Sequence, residues 1–263
     1  MKKLPCRSST EAGFTLAELA IVLLIVSLLV GGLLGPLSAQ IDLRHSSDTR
    51  KSLEEIREAL LGFAAVHGRL PCPAVSTTAS DVAGAGLEVP PPSAGVCPNP
   101  DASGILPWAT LGVSETDAWG RRYSYRVTNV FAQSVPPPAL PPPPTPCTAS
   151  ASAAFVLCST DTLHDSLDVF SSLATPGSVV ARDVPVVVIS HGKNGNGAYT
   201  PQGRQLPAST DPDERENALN PGGTAFANND FVSKAESRTF DDQLMWIAPG
   251  VLFNRMITVG KLP

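Results

Sequence analysis

Three sets of residues in this chain are of types and spacings that do chemistry. The first is Glu18, a carboxylate inside an otherwise apolar run, where a charge is costly and by default has a partner. The second is a series of acids, Asp211, Asp213, Glu214 and Glu216, then Asp230, Asp241 and Asp242. Carboxylate oxygens are hard ligands that suit calcium, and Asp230, Asp241 and Asp242 are the candidate set. The third is five cysteines, Cys6, Cys72, Cys97, Cys147 and Cys158. Catalytic patterns are missing. The four histidines His45, His67, His164 and His191 lie in no H-E-x-x-H pair, and there is no G-x-S-x-G elbow. His164, Asp165 and Ser166 are neighbours in sequence, but a triad is a matter of spatial geometry. The glycine-rich His191–Gly197 segment lacks the phosphate-loop pattern and reads as a tight turn. The chain is therefore expected not to be an enzyme, and to need no cofactor beyond a structural calcium.

The element that must hold Glu18 is the run Phe14–Leu37, FTLAELAIVLLIVSLLVGGLLGPL. Its apolar part from Phe14 is about 31 Å long as a helix, enough to span a hydrocarbon core. Lys2, Lys3 and Arg7 precede it, which places the N-terminus in the cytoplasm and the remainder across the membrane. Pro36, without an N–H, should loosen the helix there. A secretory signal cut near Ser38-Ala39-Gln40 is the weaker reading. Gly13 stands directly before Phe14, and Glu18 follows one turn into the run.

Gly13-Phe14-Thr15-Leu16-Ala17-Glu18-Leu19 resembles the prepilin peptidase signature of type IV pilins and type II secretion pseudopilins. The resemblance implies cleavage between Gly13 and Phe14 and N-methylation of the new Phe14 amine. Glu18 then stands at the family's glutamate position and pairs with the Phe14 amine of a neighbouring subunit. The implied partners are the prepilin peptidase/methyltransferase, other pilin or pseudopilin subunits, an inner-membrane assembly platform and membrane lipid. The implied product is a structural subunit of a pilus-like or secretion pseudopilus filament. It would sit as a single-pass inner-membrane protein with a periplasmic head before assembly. A minor pilin that displays its head as an adhesin or binding module is the alternative. Asp117–Val127, DAWGRRYSYRV, is similar to the D-x-W-G-x-x-Y-x-Y segment of major pseudopilins, a group that carries a structural calcium in its C-terminal loops.

The expected fold is α+β, a long N-terminal helix packed on a head with a small antiparallel sheet and long loops. Residues 1–13 are a leader, 14–37 the transmembrane and assembly helix, 38–67 its amphipathic continuation and 68–263 the head. Leu53, Ile56, Leu60 and Phe63 make one apolar stripe over 38–67, with Gly68 and Pro71 as stop signals. Tyr123, Tyr125 and Val127 alternate as in a strand, Val184–Ser190 reads as another, and Phe240–Ile247 as a last edge strand. Segments 70–106 and 200–229 read as loop, while 251–259 is undecided between helix and strand. Residues 136–146 hold eight prolines in eleven positions and read as extended polyproline or unstructured chain. Cys6 leaves with the leader. The other four suggest two disulfides in an oxidising compartment, with three possible connectivities. Sequence proximity favours Cys72–Cys97 and Cys147–Cys158. A formal charge of −5 without a basic stripe argues against nucleic acid as a partner.

Overall fold

In a computed structural model, the structure describes residues 13, 15–90, 95–98, 102–135, 152–157, 166–173, 178–220, 226 and 228–262, with the side chains of 32–37 excepted. Phe14, the leader before Gly13, Cys147, Cys158, the Pro-rich segment 136–146 and His164–Asp165 lie outside the described residues. The chain divides into two compact units, one ending at Arg44 and the other running from His45 to the C-terminus.

The first helix, α1, runs Leu16–His67 over 52 residues and so contributes to both units. Its early part carries exposed Leu, Ile and Val side chains from Leu16 to Val30. Among the described residues, however, no helix is long and apolar enough to cross a membrane. This corrects the fold expected above, in which 14–37 is a transmembrane segment. It also corrects the single-pass inner-membrane placement.

Among the described residues, the second unit is α+β with two sheets. β1 (Ser103–Ile105), β2 (Ser124–Val127), β5 (Val186–Ser190) and β7 (Gln243–Ile247) form a four-stranded antiparallel sheet in the order β1-β2-β5-β7. β4 (Val179–Val184), β3 (Leu167–Phe170) and β6 (Asp230–Val232) form a second sheet in the order β4-β3-β6, with β3 and β6 parallel. The helices are α2 (Trp108–Leu111), α3 (Asn129–Ala132), α4 (Pro212–Glu216) and α5 (Pro249–Thr258).

All five β5 residues are buried, because both faces of the sheet are covered. On one face, the α1 stripe of Leu53, Ile56 and Leu60 packs with Tyr125, Val186, Val188, Met245 and Ile247, and with Leu252 and Met256 of α5. On the other, Val187 and Ile189 pack with Leu167, Val169 and Phe231 of the second sheet. The run read as one strand over 184–190 is two. Pro185 has no N–H for a ladder, and the chain leaves the second sheet at Val184 and enters the first at Val186. Asp183 takes φ +53° at this crossing, its amide bonded to Asp168 at 3.0 Å.

Loops are fixed by side chains aimed at backbone. Asp117 Oδ1 accepts the amides of Trp119 and Arg121, each at 2.9 Å, and its Oδ2 accepts the Ser190 hydroxyl at 2.7 Å. Cys72 and Cys97 are joined in a disulfide, as sequence proximity favoured. Arg122 is fully buried. Its Nε donates to Glu115 at 2.8 Å, and its other nitrogens to the carbonyls of Ser76, Thr78 and Pro201 and to the Ser80 hydroxyl. The guanidinium also lies 4.7 Å from the Trp108 ring centre. Only a planar fork satisfies this many acceptors at once. Arg122→Lys keeps the charge and orphans several buried acceptors. It is expected to lower unfolding free energy by about 2–4 kcal/mol in a urea titration of the full chain.

Candidate functional site

The first candidate site lies at the start of α1. Gly13 is exposed, and Thr15 is the residue before the helix. The Thr15 backbone N–H and its hydroxyl both donate to Glu18 Oε2 at 2.9 Å, and the Glu18 amide donates back to Thr15 Oγ1 at 3.3 Å. This is a reciprocal capping box, signalled by the spacing T-L-A-E, and the sequence reading missed it. It satisfies donors that the first helical turn leaves without partners, and it places a carboxylate where the helix dipole favours one. Beyond it, apolar side chains are exposed around the helix, with Leu16 at 89%, Leu23 at 60% and Leu28 at 71%.

The second candidate site is assembled in the head by three loops. Pro212 and the Asp211 cap start α4. Asp211 Oδ1 accepts the amides of Asp213 at 2.9 Å and Glu214 at 3.4 Å. Glu214 is thereby turned toward the 191–197 loop, where Asn194 donates to its Oε1 at 2.6 Å and Asn196 to its Oε2 at 3.1 Å. Asp241 Oδ2 accepts the Asn194 amide at 2.8 Å, and Asp242 Oδ2 accepts Asn217 Nδ2 at 2.8 Å. Gly192, at φ +53°, lies against Asp241 so closely that a Cβ there would strike its carbonyl oxygen. Glu214, Asp241 and Asp242 each bring one oxygen within 4.8 Å of the others.

Of the candidate set Asp230, Asp241 and Asp242, the last two meet and Asp230 does not. Asp230 lies with Asp168, and burial together with that neighbouring charge raises its pKa. Asp213 is held by Lys234 at 2.6 Å, with Asp211 3.9 Å from the same ammonium. Glu214 completes the cluster. No spacing rule singles it out, because it reaches Asp241 and Asp242 only through the fold.

The cluster's charges are frustrated. Burial, and then the Glu214 and Asp242 charges, lift Asp241 to about 6. Burial also raises Asp242. Glu214 is pushed up by burial, but hydrogen bonds from Ser209, Asn194 and Asn196 outweigh that and leave it below its ordinary value. Asp241 Oδ1 and Asp242 Oδ1 are buried without a hydrogen-bond partner. An all-oxygen donor set with two orphaned carboxylate oxygens fits a hard divalent cation.

Behind the cluster, Ser124 Oγ lies 2.7 Å from His191 Nε2, and His191 Nδ1 lies 3.7 Å from Asp242 Oδ1. The order Ser–His–Asp is that of an acyl-transfer triad. All three residues are buried, Ser124 and His191 completely, so this hydroxyl has no face open to a substrate. Two other histidines make ring contacts away from the cluster. His67 stacks on Phe63 with centroids 3.9 Å apart, and His45 meets the Trp119 ring edge-on.

No family model, no curated protein and no solved structure matches this chain.

Asp241 yields a pH signature. Its folded pKa lies above the ordinary 3.8, so between about pH 4 and 6 the folded chain holds a proton that the unfolded chain has released. Its contribution to stability is therefore lost as pH rises through that window. With a chelator present, Asp241→Asn is expected to gain stability relative to the parent between pH 4 and pH 7, read as denaturant midpoints. A constant difference across that range would contradict the assignment.

Proposed function

We propose that this chain is a structural subunit of a type IV pilus-like or type II secretion pseudopilus filament. It is trimmed by prepilin peptidase between Gly13 and Phe14, methylated on the Phe14 amine, and assembled by packing the start of α1 against other subunits. The observation that carries this reading is a helix whose Leu, Ile and Val side chains stay exposed from Leu16 to Val30, headed by one carboxylate, Glu18. Burying each such side chain contributes about 1.5–3 kcal/mol, so a stretch of this length has a strong drive toward apolar partners. Glu18 supplies the direction that apolar packing lacks. An α-amine is largely cationic at neutral pH, and a carboxylate inside the packed helices fixes the axial offset at which a neighbour's amine finds its counter-charge. The energy source for assembly is external, since nothing in the chain reads as a nucleotide site.

In the head, the Glu214, Asp241 and Asp242 cluster is proposed to hold a calcium ion that ties the 191–197, 211–217 and 240–242 loops together. The support is the donor chemistry and the two orphaned oxygens described above.

The direct test is the N-terminal residue and its mass after expression with and without a prepilin peptidase. N-methylated Phe14 is expected with the enzyme, and an intact Met1 or a cut near Ala39 would refute the route. Glu18→Ala is expected to be cleaved at the parent rate and to be at least about tenfold depleted from sedimenting filaments, the loss of one charge-assisted contact. Normal incorporation would remove Glu18 from the mechanism.

A further inference from the structure

Glu18 is held in place by its own chain before any neighbour arrives. We propose that Thr15 is a positioning residue for the pair between Glu18 and a neighbouring subunit's amine, a refinement that rests on the filament reading above. A glutamate on an exposed helix start loses considerable rotamer freedom when it is pinned for a contact. Here that ordering is already done, because both Thr15 donors converge on one oxygen, Oε2. Neither of these two bonds involves Oε1, so an ammonium can bind there without displacing the cap. The return bond from the Glu18 amide to Thr15 Oγ1 fixes the hydroxyl as well, so its proton is directed at the carboxylate. Cleavage between Gly13 and Phe14 leaves Thr15 nitrogen in a peptide bond. The backbone N–H that holds Glu18 therefore survives trimming, and the new amine sits one residue ahead of the cap. Thr15 thus links two events that otherwise share only sequence proximity, trimming and axial registration.

The test is filament incorporation in cells that contain the peptidase, scored as sedimenting subunit relative to cleaved subunit, for Thr15→Val, Thr15→Ser, Thr15→Asp and Glu18→Ala in the full-length chain. Valine keeps the shape and the backbone donor and deletes the hydroxyl. It is expected to lower incorporation about fivefold to tenfold, the factor for one net hydrogen bond, with cleavage unchanged. Serine restores the hydroxyl and is expected to restore incorporation. Aspartate caps a helix start as well as threonine or better and keeps the backbone donor, but its carboxylate side chain has no proton to give Glu18. It is expected to fail like valine, which separates positioning of the carboxylate from simple helix capping. Parent-level incorporation of Thr15→Val or Thr15→Asp would overturn the proposal, as would a Thr15→Ser variant no better than valine. If Glu18→Ala itself assembles normally, the ion-pair reading fails and takes the role of Thr15 with it. If Glu18→Ala is blocked while Thr15→Val is not, only the role of Thr15 fails.

Discussion

A strand that is apolar on both faces cannot meet water on either side, and β5 imposes that constraint on the whole head. Val186, Val187, Val188 and Ile189 alternate between two cores. One must be closed by a helix and the other by a second sheet. The α1 stripe closes the first, and β3, β4 and β6 close the second. Each covering element is itself amphipathic or short, so none is stable without the strand it covers. The polar loops then gather at the end of β5, where Ser190 and His191 carry the chain out of the core into the acidic cluster.

The two candidate sites obey opposite electrostatic rules. At the start of α1 a single carboxylate is satisfied by local donors and remains accessible. In the head, three carboxylates share a confined space with too few donors, and Asp242 is sealed away from solvent. The first arrangement suits a reversible contact made on demand. The second suits permanent neutralisation, because an unpaired buried charge weakens the fold continuously. His191 lies between the cluster and the sheet, with Ser124, the first residue of β2, on one ring nitrogen and Asp242 facing the other.

Much of the head was legible where periodicity or chain chemistry acts locally. The stripe Leu53–Ile56–Leu60–Phe63 and the alternation before Val127 follow from side-chain spacing alone, and the closing strand, read over 240–247, forms over Gln243–Ile247. The disulfide between Cys72 and Cys97 was legible as a pairing of cysteines that are neighbours in sequence. Other features depend on competition between distant parts. Val184–Ser190 reads as one strand entered past Pro185, whereas Val184 ends β4 in the second sheet and β5 begins at Val186. α4 is a single turn whose signal, Asp211 followed by Pro212, lies inside a polar stretch that otherwise reads as loop. Pro249 marks the first turn of α5, whereas the run of Val, Leu and Ile that follows is compatible with helix or strand. Glu214 belongs to the acidic cluster through tertiary contact with residues nearly thirty positions away, which no local pattern encodes. At Glu18 the error ran the other way. A charge in an apolar run signals a distant partner, yet the donors that hold it lie three residues away in Thr15.

The disulfide between Cys72 and Cys97 has a consequence for how the molecule comes apart. Residues 73–96 form a covalent ring, and exposed positions such as Ser80, Val82 and Gly84 lie on it. Exposed loops of this composition are where proteases nick a folded chain first. One cut within the ring would leave both fragments tied through sulfur, with Arg69 and Glu88 still bridged across it at 2.9 Å. A nicked molecule would migrate as a single species until a reductant separated its halves, so damage to this surface would be invisible to size alone.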